Sequence, residues 1–397
     1  MSYNLGFILG KKGYIRGPFG SALKRSEMLD NGIPVYEQQN AIYNHREFRF
    51  FIDKDKYKVM KRFTVQEGDI LISCSGTVGK TTLIKKNDPI GIISQALLIL
   101  RPNKQITDSK FLKYFLDSKE GQEGLLSRSH GSVQTNIAKR QDVETLEIPN
   151  FTIKSQQAVA NILSSLDDKI EINNKINKNL EELALTLYKR WFVHFEFPNE
   201  DGEPYKSSGG EMVESELGLI PKGWLIKEQG QYFPVVTGKK NANIATPNGN
   251  YMFFTCSQEV YLTEDYSFDG DAILVAGNGD FNVKYYSGRF EAYQRTYVLI
   301  PYNNKLSGVL FFAIKHNLDD ITSGSRGSVI SFITKGHIEN FRVVFPNEES
   351  LEKMAVIFKN TLIMIAQNNK QNVKLTKTRD ELLPKLMNGE IEVPIEE

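Results

Sequence analysis

The chain is written twice, and this duplication limits its possible folds more than any other feature. The run GDILISCSGTVGK (Gly68 to Lys80) returns about 200 residues later as GDAILVAGNGDFNVK (Gly270 to Lys284). Each copy joins a Gly-Asp turn, an apolar strand and a small polar loop. Gly-Ser-Val at Gly131 to Val133 returns at Gly327 to Val329, and an isoleucine and a lysine follow in both places (Ile137, Lys139; Ile333, Lys335). A proline closes each copy (Pro149, Pro346), and a long heptad-patterned stretch follows, from about Ser155 and from about Glu349. Repeats of roughly 20 to 50 residues signal solenoids; here the period is a whole domain. Two similar but unequal readers on two similar rods predict a protein that recognises an object with two halves.

A chain of 397 residues holds two or three domains. Its two cysteines, Cys74 and Cys256, have no CxxC spacing, so neither a zinc site nor a disulfide framework is expected. Each follows an apolar strand run and reads as a small buried thiol, which suits a reducing cytoplasm. No signal-peptide pattern and no 18-residue apolar run is present, so a cytoplasmic protein with no membrane partner is expected. Charge is uneven. Residues 1–150 carry 23 Lys/Arg against 16 Asp/Glu, residues 151–220 carry 7 against 12, and residues 221–346 carry 12 against 11. Basic surface draws phosphate backbones. The first unit therefore carries a moderate nucleic-acid signal, the second a weak one.

Residues 1–150 read as mixed β structure: IPVYEQ, EFRFFI, DILIS and LLILRP are short β-branched or aromatic runs between Gly, Pro, Asn and Asp. A helix is expected at Asp108 to Leu116. The second unit repeats the plan, with strands at YMFFTC, DAILVAG and TYVLIP and a helix at LSGVLFFAIKHN. In the first rod the seam falls at Ile162, Leu166, Ile170, Asn173, Ile176, Leu180, Leu183 and Leu187. In the second it falls at Met354, Ile357, Thr361, Ile365, Asn368, Asn372, Leu375, Arg379, Leu382 and Leu386. Steps of three and four are a heptad rhythm. At ~1.5 Å per residue each rod is roughly 50 Å long, too long for one small core, so the rods should pair with each other. Asn173, Asn177, Asn368 and Asn372 either sit in that seam, where they would fix register, or face solvent. Ile172, Leu185, Tyr188 and Ile363 look exposed on the flanks. Tyr188, Trp191 and Phe192 either form a helix-end core cluster or meet a partner. The segment Phe197 to Trp224 reads as a surface linker.

Several chemical motifs fail. SGTVGKTT (Ser75 to Thr82) looks like a phosphate loop but has Cys74 where that loop needs glycine, and a strand rather than a helix should follow. GNGDFN near Gly277 lacks the third glycine of a dinucleotide fingerprint. The five histidines show no HExxH or other paired spacing, so no metal site is expected. No Asn-Pro-Pro-Tyr or Asp-Pro-Pro-Tyr tetrapeptide of an amino-methyltransferase occurs. The chain reads as a non-catalytic binder.

The run SLDDKIEINNKINKNLEELALTLYKRWFVHFEFP (Ser165 to Pro198), the join GLIPKGW (Gly218 to Trp224) and the tail LLPKLMNGEIEVP (Leu382 to Pro394) resemble the specificity subunits of type I restriction–modification enzymes. GPFGSALKRSEM (Gly17 to Met28) with GIPVYEQQNAI (Gly32 to Ile42) resembles the start of a target-recognition domain of that family. The resemblance covers essentially the whole chain, in the family's order of parts. It implies an α+β fold: two pseudo-repeated target-recognition domains, of mixed β with short helices, joined by two long helices in an antiparallel coiled coil. The corresponding parts are 1–150, first recognition domain; 151–196, first long helix; 197–222, linker; 223–347, second recognition domain; 348–388, second long helix; and 389–397, tail. It also implies that each domain grips one half of a bipartite, asymmetric site on double-stranded DNA. The coil would set the spacer and dock two modification subunits, with restriction subunits joining for cleavage. S-adenosylmethionine, ATP and Mg2+ would belong to those partners and not to this chain. Readers about one helical turn apart, roughly 34 Å, fit on a rod of that length.

Candidate DNA contacts cluster in short polar segments. In the first unit these are Lys24 and Arg25; Gln38, Gln39, Asn40 and Arg46; Ser75, Thr77 and Lys80; and Arg128, His130, Ser132 and Gln134. In the second they are Lys239 and Lys240; Asn278; and Ser325, Arg326 and Ser328. Arg and Lys suit guanine O6/N7, Gln and Asn suit adenine N6/N7, and small residues let backbone amides reach phosphates. The alternative for each residue taken alone is a solvated loop side chain. Two rival readings stand beside this one: a fused nuclease or methyltransferase, and a coiled-coil scaffold with protein-binding globular units. Self-association in the absence of partners is a further expectation from the apolar flanks.

Overall fold

The computed structural model describes residues 2–127, 137, 139–247, 249–323 and 332–394. Its contacts divide into two compact units, residues 1–170 with 373–397 and residues 171–372.

In the first unit a four-stranded antiparallel sheet runs in the order Tyr14–Arg16, Leu97–Leu100, Ile70–Ser73, Thr81–Leu83. The two central strands are apolar without alternation because both faces are covered. Ile70, Ile72, Leu98 and Leu100 pack with Phe111, Leu112 and Phe115 of the helix Ser109–Asp117. Leu71, Leu97 and Ile99 pack with Tyr36 and Ile93 on the opposite face. Asp108 starts that helix by accepting from the Phe111 N–H at 3.0 Å. A three-stranded sheet (Phe51–Ile52, Ile33–Tyr36, Ile92–Ile93) and the pair Ser2–Asn4 with Glu147–Pro149 complete the β structure. Of EFRFFI, only Phe51–Ile52 pairs as a strand.

The second unit repeats that strand order as Val235–Thr237, Thr296–Leu299, Phe268–Ala276, Val283–Ala292, and adds Tyr251–Phe254 and Val260–Thr263. The helix Ser307–His316 takes the place of Ser109–Asp117. The pair Leu225–Glu228 with Arg342–Phe345 takes the place of Ser2–Asn4 with Glu147–Pro149. The ladder also corrects the register of the repeat. Ser73 donates to Lys80 O and Ala276 donates to Asn282 O, so Lys80 corresponds to Asn282, and Lys284 to Thr82. The ten-residue strand Val283–Ala292 has little apolar alternation to announce it. Gly270 and Gly288 face each other across its ladder with φ of 141° and 125°, backbone conformations that let the two strands bend together. The segment expected to be a plain linker holds the hairpin Met212–Ser215 with Gly218–Pro221. Ile220 and Trp224 belong to the second unit's core.

The two long helices are Ile153–Tyr188, of 36 residues, and Glu348–Met387, of 40. The Thr152 hydroxyl accepts from Ser155 N, and Asn347 Oδ1 from Ser350 N, as their N-terminal caps. Within each unit their contacts run antiparallel. In the first unit Arg379 donates to Asp167 at 2.7 Å, and Asp167 also accepts from the Tyr114 hydroxyl at 2.6 Å. In the second unit the seam asparagines form a ladder. Asn173 donates to Asn372 Oδ1 and Asn368 to Asn177 Oδ1; Asn177 donates to Asn369 Oδ1 and Asn372 to Asn174 Oδ1, all at 2.8 Å. The pentapeptides NNKIN (Asn173 to Asn177) and NNKQN (Asn368 to Asn372) thus exchange identical bonds in reversed order, a twofold pattern within one chain. Asn173 is buried, which places it in the seam rather than in solvent.

Leu166, Ile170, Leu180 and Leu375 are half-buried along this pairing. Leu187 and Ile365 pack on the second unit's core, and Leu382 on the first's. Four seam assignments are corrected: Ile162, Ile176, Leu183 and Ile357 are 37%, 40%, 68% and 46% exposed. Around Ile162 and Ile357 each helix packs into its unit's core as well as on the other helix, which turns the buried line to Val159 and Leu163, and to Leu351, Ala355, Phe358 and Leu362. Tyr188, Trp191 and Phe192 close the first helix on Phe358, Phe345 and Trp224, the core-cluster alternative. Tyr188 is therefore buried, while Ile172 and Ile363 remain exposed. Among the described residues no helix is long and apolar enough to cross a membrane.

Candidate nucleic-acid interface

In each unit the same loops meet at one end of the repeated strands. In the first unit, Cys74, just past the strand Ile70–Ser73, donates its N–H to Ala96 O at 2.9 Å and accepts from Ile137 N at 3.0 Å. Gly17, just past Tyr14–Arg16, donates to Leu97 O at 3.0 Å. A Cβ on Gly17 would lie 2.0 Å from Ser94 O, so only glycine fits. Ser75 donates its N–H to Gln38 Oε1 at 3.3 Å, which joins the short helix Gln38–Ile42 to this cluster. The second unit repeats the arrangement. Gly277 donates to Arg295 O at 2.9 Å and accepts from Ile333 N at 2.8 Å, and Gly238 donates to Thr296 O. A Cβ on Gly238 would lie 2.0 Å from Ala292 O. Ile137 and Ile333, which recur in the sequence after Gly-Ser-Val, are thus equivalent anchors.

The side chains at this end differ between the units. Thr77 and Lys80 are exposed and Ser75 half-exposed on a turn whose Gly76 and Gly79 have φ of 69° and 87°. Cys74 lies underneath, and burial pushes its thiol up to about 12, so it stays uncharged. In the second unit Lys239 and Lys240 are exposed, and Gln294 N donates to Lys240 O at 3.0 Å. Asn278 is half-buried and bridges Phe332. Asp280 accepts from Gln258 Nε2 at 2.7 Å. Lys284 is held beneath the loop, donating to Ser257 O at 2.6 Å and to Asn282 Oδ1. Burial lowers its pKa, a pull that Cys256 and Asp280 partly oppose. Cys256 is half-buried and donates to Arg295 O at 3.4 Å.

Two predicted contacts are braces instead. Asn40 is fully buried; its amide donates to His45 O and Glu47 O, and its Oδ1 accepts from Glu37 N. Arg46 pairs with Asp88 at 2.8 Å and donates to Thr82 Oγ1, Leu83 O and His45 O, so its guanidinium is fastened to the sheet. Both donors of the Asn40 amide are taken, and the one Arg46 nitrogen without a partner among the described residues, Nε, is buried, so neither side chain presents a donor to a base. Lys24 and Arg25 are exposed, but their short turn is tied to Phe50 and Lys56 rather than to the Cys74 loop. Gln39 is half-buried beside Glu37. Arg128, His130, Ser132, Gln134, Ser325, Arg326 and Ser328 lie outside the described residues.

The geometry adds residues that the sequence pattern missed. Cys74 N meets Ala96 O where Gly277 N meets Arg295 O. Gln95 therefore corresponds to Gln294 and Ala96 to Arg295. Gln95, Gln294 and Arg295 are all exposed. The only sequence signal was a glutamine one residue inside each matching turn, in ISQALL and AYQRTY. No three His, Cys, Asp or Glu side chains gather as a metal site among the described residues.

Two loop clusters on one repeated strand order, each followed by a long helix, define a chain with two equivalent recognition domains. The family model described as the type I restriction modification DNA specificity domain matches residues 20–182 and again 206–377, and the chain belongs to this family. The specificity subunit of the type I restriction enzyme MjaIX from Methanocaldococcus jannaschii is 27% identical over 417 residues, covering 96% of this chain and 92% of that protein. The EcoDI specificity subunit of Escherichia coli is 38% identical over 170 residues, which span 43% of this chain and only 36% of that subunit. In fold, the S subunit of a type I restriction-modification system from M. genitalium aligns over 98% of this chain and 96% of its own, with a TM-score of 0.58 and 19% identity.

Proposed function

We propose that this chain is the specificity subunit of a type I restriction–modification complex and reads double-stranded DNA without catalysing a reaction itself. Each domain would read one half of a bipartite site with its loop cluster, and the paired helices would set the spacer. The same helices would dock two modification subunits. These would bring S-adenosylmethionine for adenine N6 methylation, and restriction subunits would bring ATP and Mg2+. The observation that carries this reading is the loop cluster built twice on one strand order with unlike side chains at equivalent positions. Unlike readers on like scaffolds specify unlike half-sites, so an asymmetric target is expected.

The test is methylome sequencing of a methylation-deficient host that expresses this chain with its neighbouring modification subunit. N6-methyladenine at one bipartite motif, present only with this chain, is the expected result. Exchange of residues 1–150 for those of another member should then change one half of the motif. Formation of an active complex with no motif would overturn the reading.

A further inference from the structure

The turn that precedes the strand Thr296–Leu299 has its backbone fixed and one side chain left free. Arg295 O accepts from Gly277 N at 2.9 Å and from Cys256 Sγ at 3.4 Å. On either side, Thr296 N donates to Tyr293 O at 2.8 Å and Gln294 N to Lys240 O at 3.0 Å. The Arg295 side chain is exposed, and among the described residues its guanidinium has no hydrogen bond, ion pair or ring contact. Two other arginines of the second unit are engaged: Arg289 lies on Tyr266 and pairs with Asp269, and Arg342 pairs with Glu216. A free guanidinium on an anchored turn, beside Asn278 and the exposed Gln294, is a fork held ready for an external acceptor.

The repeat shows which acceptor. Equivalent positions that carry the same residue in both units suit a feature common to any DNA, and positions that differ suit what distinguishes the half-sites. Gln95 and Gln294 are identical and both exposed. The counterpart of Arg295 is Ala96, whose side chain has no polar group. A planar five-donor fork matches guanine O6 and N7 in the major groove, the commonest specific arginine contact. We infer that Arg295 is a specificity-determining residue of the second half-site and reads a guanine, whereas Gln95 and Gln294 hold the DNA backbone in both. The inference rests on the specificity-subunit reading.

The experiment compares the methylated motif for the full chain in its modification complex with that of R295A, R295K and Q294A. R295A should relax one G·C position in one half-site, with discrimination there falling on the order of ten- to a hundredfold, while the other half-site keeps its sequence. R295K keeps the charge and loses the fork, so it should relax the same position. Q294A should lower methylation across all sites without changing the motif. An R295A motif unchanged in both halves overturns the inference alone. R295A methylation falling equally at all sites, with R295K like wild type, would make Arg295 a phosphate contact and also overturns it. Absence of any bipartite motif with the wild-type chain removes the specificity reading itself.

Discussion

Gln229 occupies the position that the repeat gives to Leu5. Each follows the first strand of the terminal pair in its unit, and each donates its N–H to the returning chain, Gln229 to Phe341 O and Leu5 to Leu146 O. Both are fully buried, yet among the described residues Oε1 and Nε2 of Gln229 have no hydrogen-bond partner. A buried amide without partners loses its hydration and regains nothing. Gln229→Leu should therefore stabilise the second unit by about 1–3 kcal/mol, read as a higher denaturant midpoint; an unchanged or lower midpoint would show the amide to be satisfied. The same scale explains why site residues were only partly legible. Asn40 and Arg46 have the side chains of base readers and sit in a polar run, but their partners Glu37, Glu47, Thr82 and Asp88 turn them into braces. Arg295 reaches the site because Gly277, 18 residues earlier, pins its carbonyl across a strand pair. Local sequence records neither fact.

At the scale of elements, the heptad rhythm told where the long helices run, because a 3.5-residue period survives any tertiary setting. It did not tell where they turn toward their own units, so Ile162 and Ile357 were placed one residue out of phase. The strand Val283–Ala292 escaped because both faces are only partly covered and mix Lys, Tyr, Ser, Arg and Glu. The asparagine ladder gives a sharp test. Asn173→Leu leaves Asn372 Oδ1, half-buried, without its donor and should destabilise by about 1–3 kcal/mol. The double change N173L/N372L should recover part of that loss, so a double-mutant cycle that shows simple additivity would deny the coupling. A second tie joins sheet to helix: Asp271 pairs with Lys359 at 3.2 Å, and Lys359 also donates to Asn304 O. Burial raises the Asp271 carboxyl, but hydrogen bonds from Ser287, Lys359 and Tyr285 outweigh it and leave the pKa below its usual value. A depressed carboxyl contributes stability that is complete above its unfolded value near ~3.9 and is lost as pH falls through the lower folded value. Asp271→Asn should remove that acid limb from the pH–stability curve of the second unit; an unaltered curve would assign the limb to other carboxylates.

For the whole molecule, the duplicated architecture was legible because it is written in long, repeated patterns, whereas the composition of each unit follows from contacts far apart in sequence. Leu386 and Met387, near the end of the second long helix, are buried in the first unit's core with Leu5, Phe111 and Leu163. That placement carries a consequence for synthesis. A ribosome that has finished Leu163 must still add the residues up to Leu386 before this core can close, roughly 11 to 45 seconds at about 5–20 residues per second. The second unit, drawn from the continuous stretch 171–372, meets no such delay. During translation it should gain protease resistance first, reversing the usual order in which the N-terminal domain folds ahead of the rest. Pulse-labelled nascent chains under limited proteolysis would reveal the sequence of events, and early protection of residues 1–150 would refute it. The newborn first reader is thus a late finisher: it exposes Phe111 and Leu163 until the last helix arrives, and in that interval it is a natural client for a chaperone.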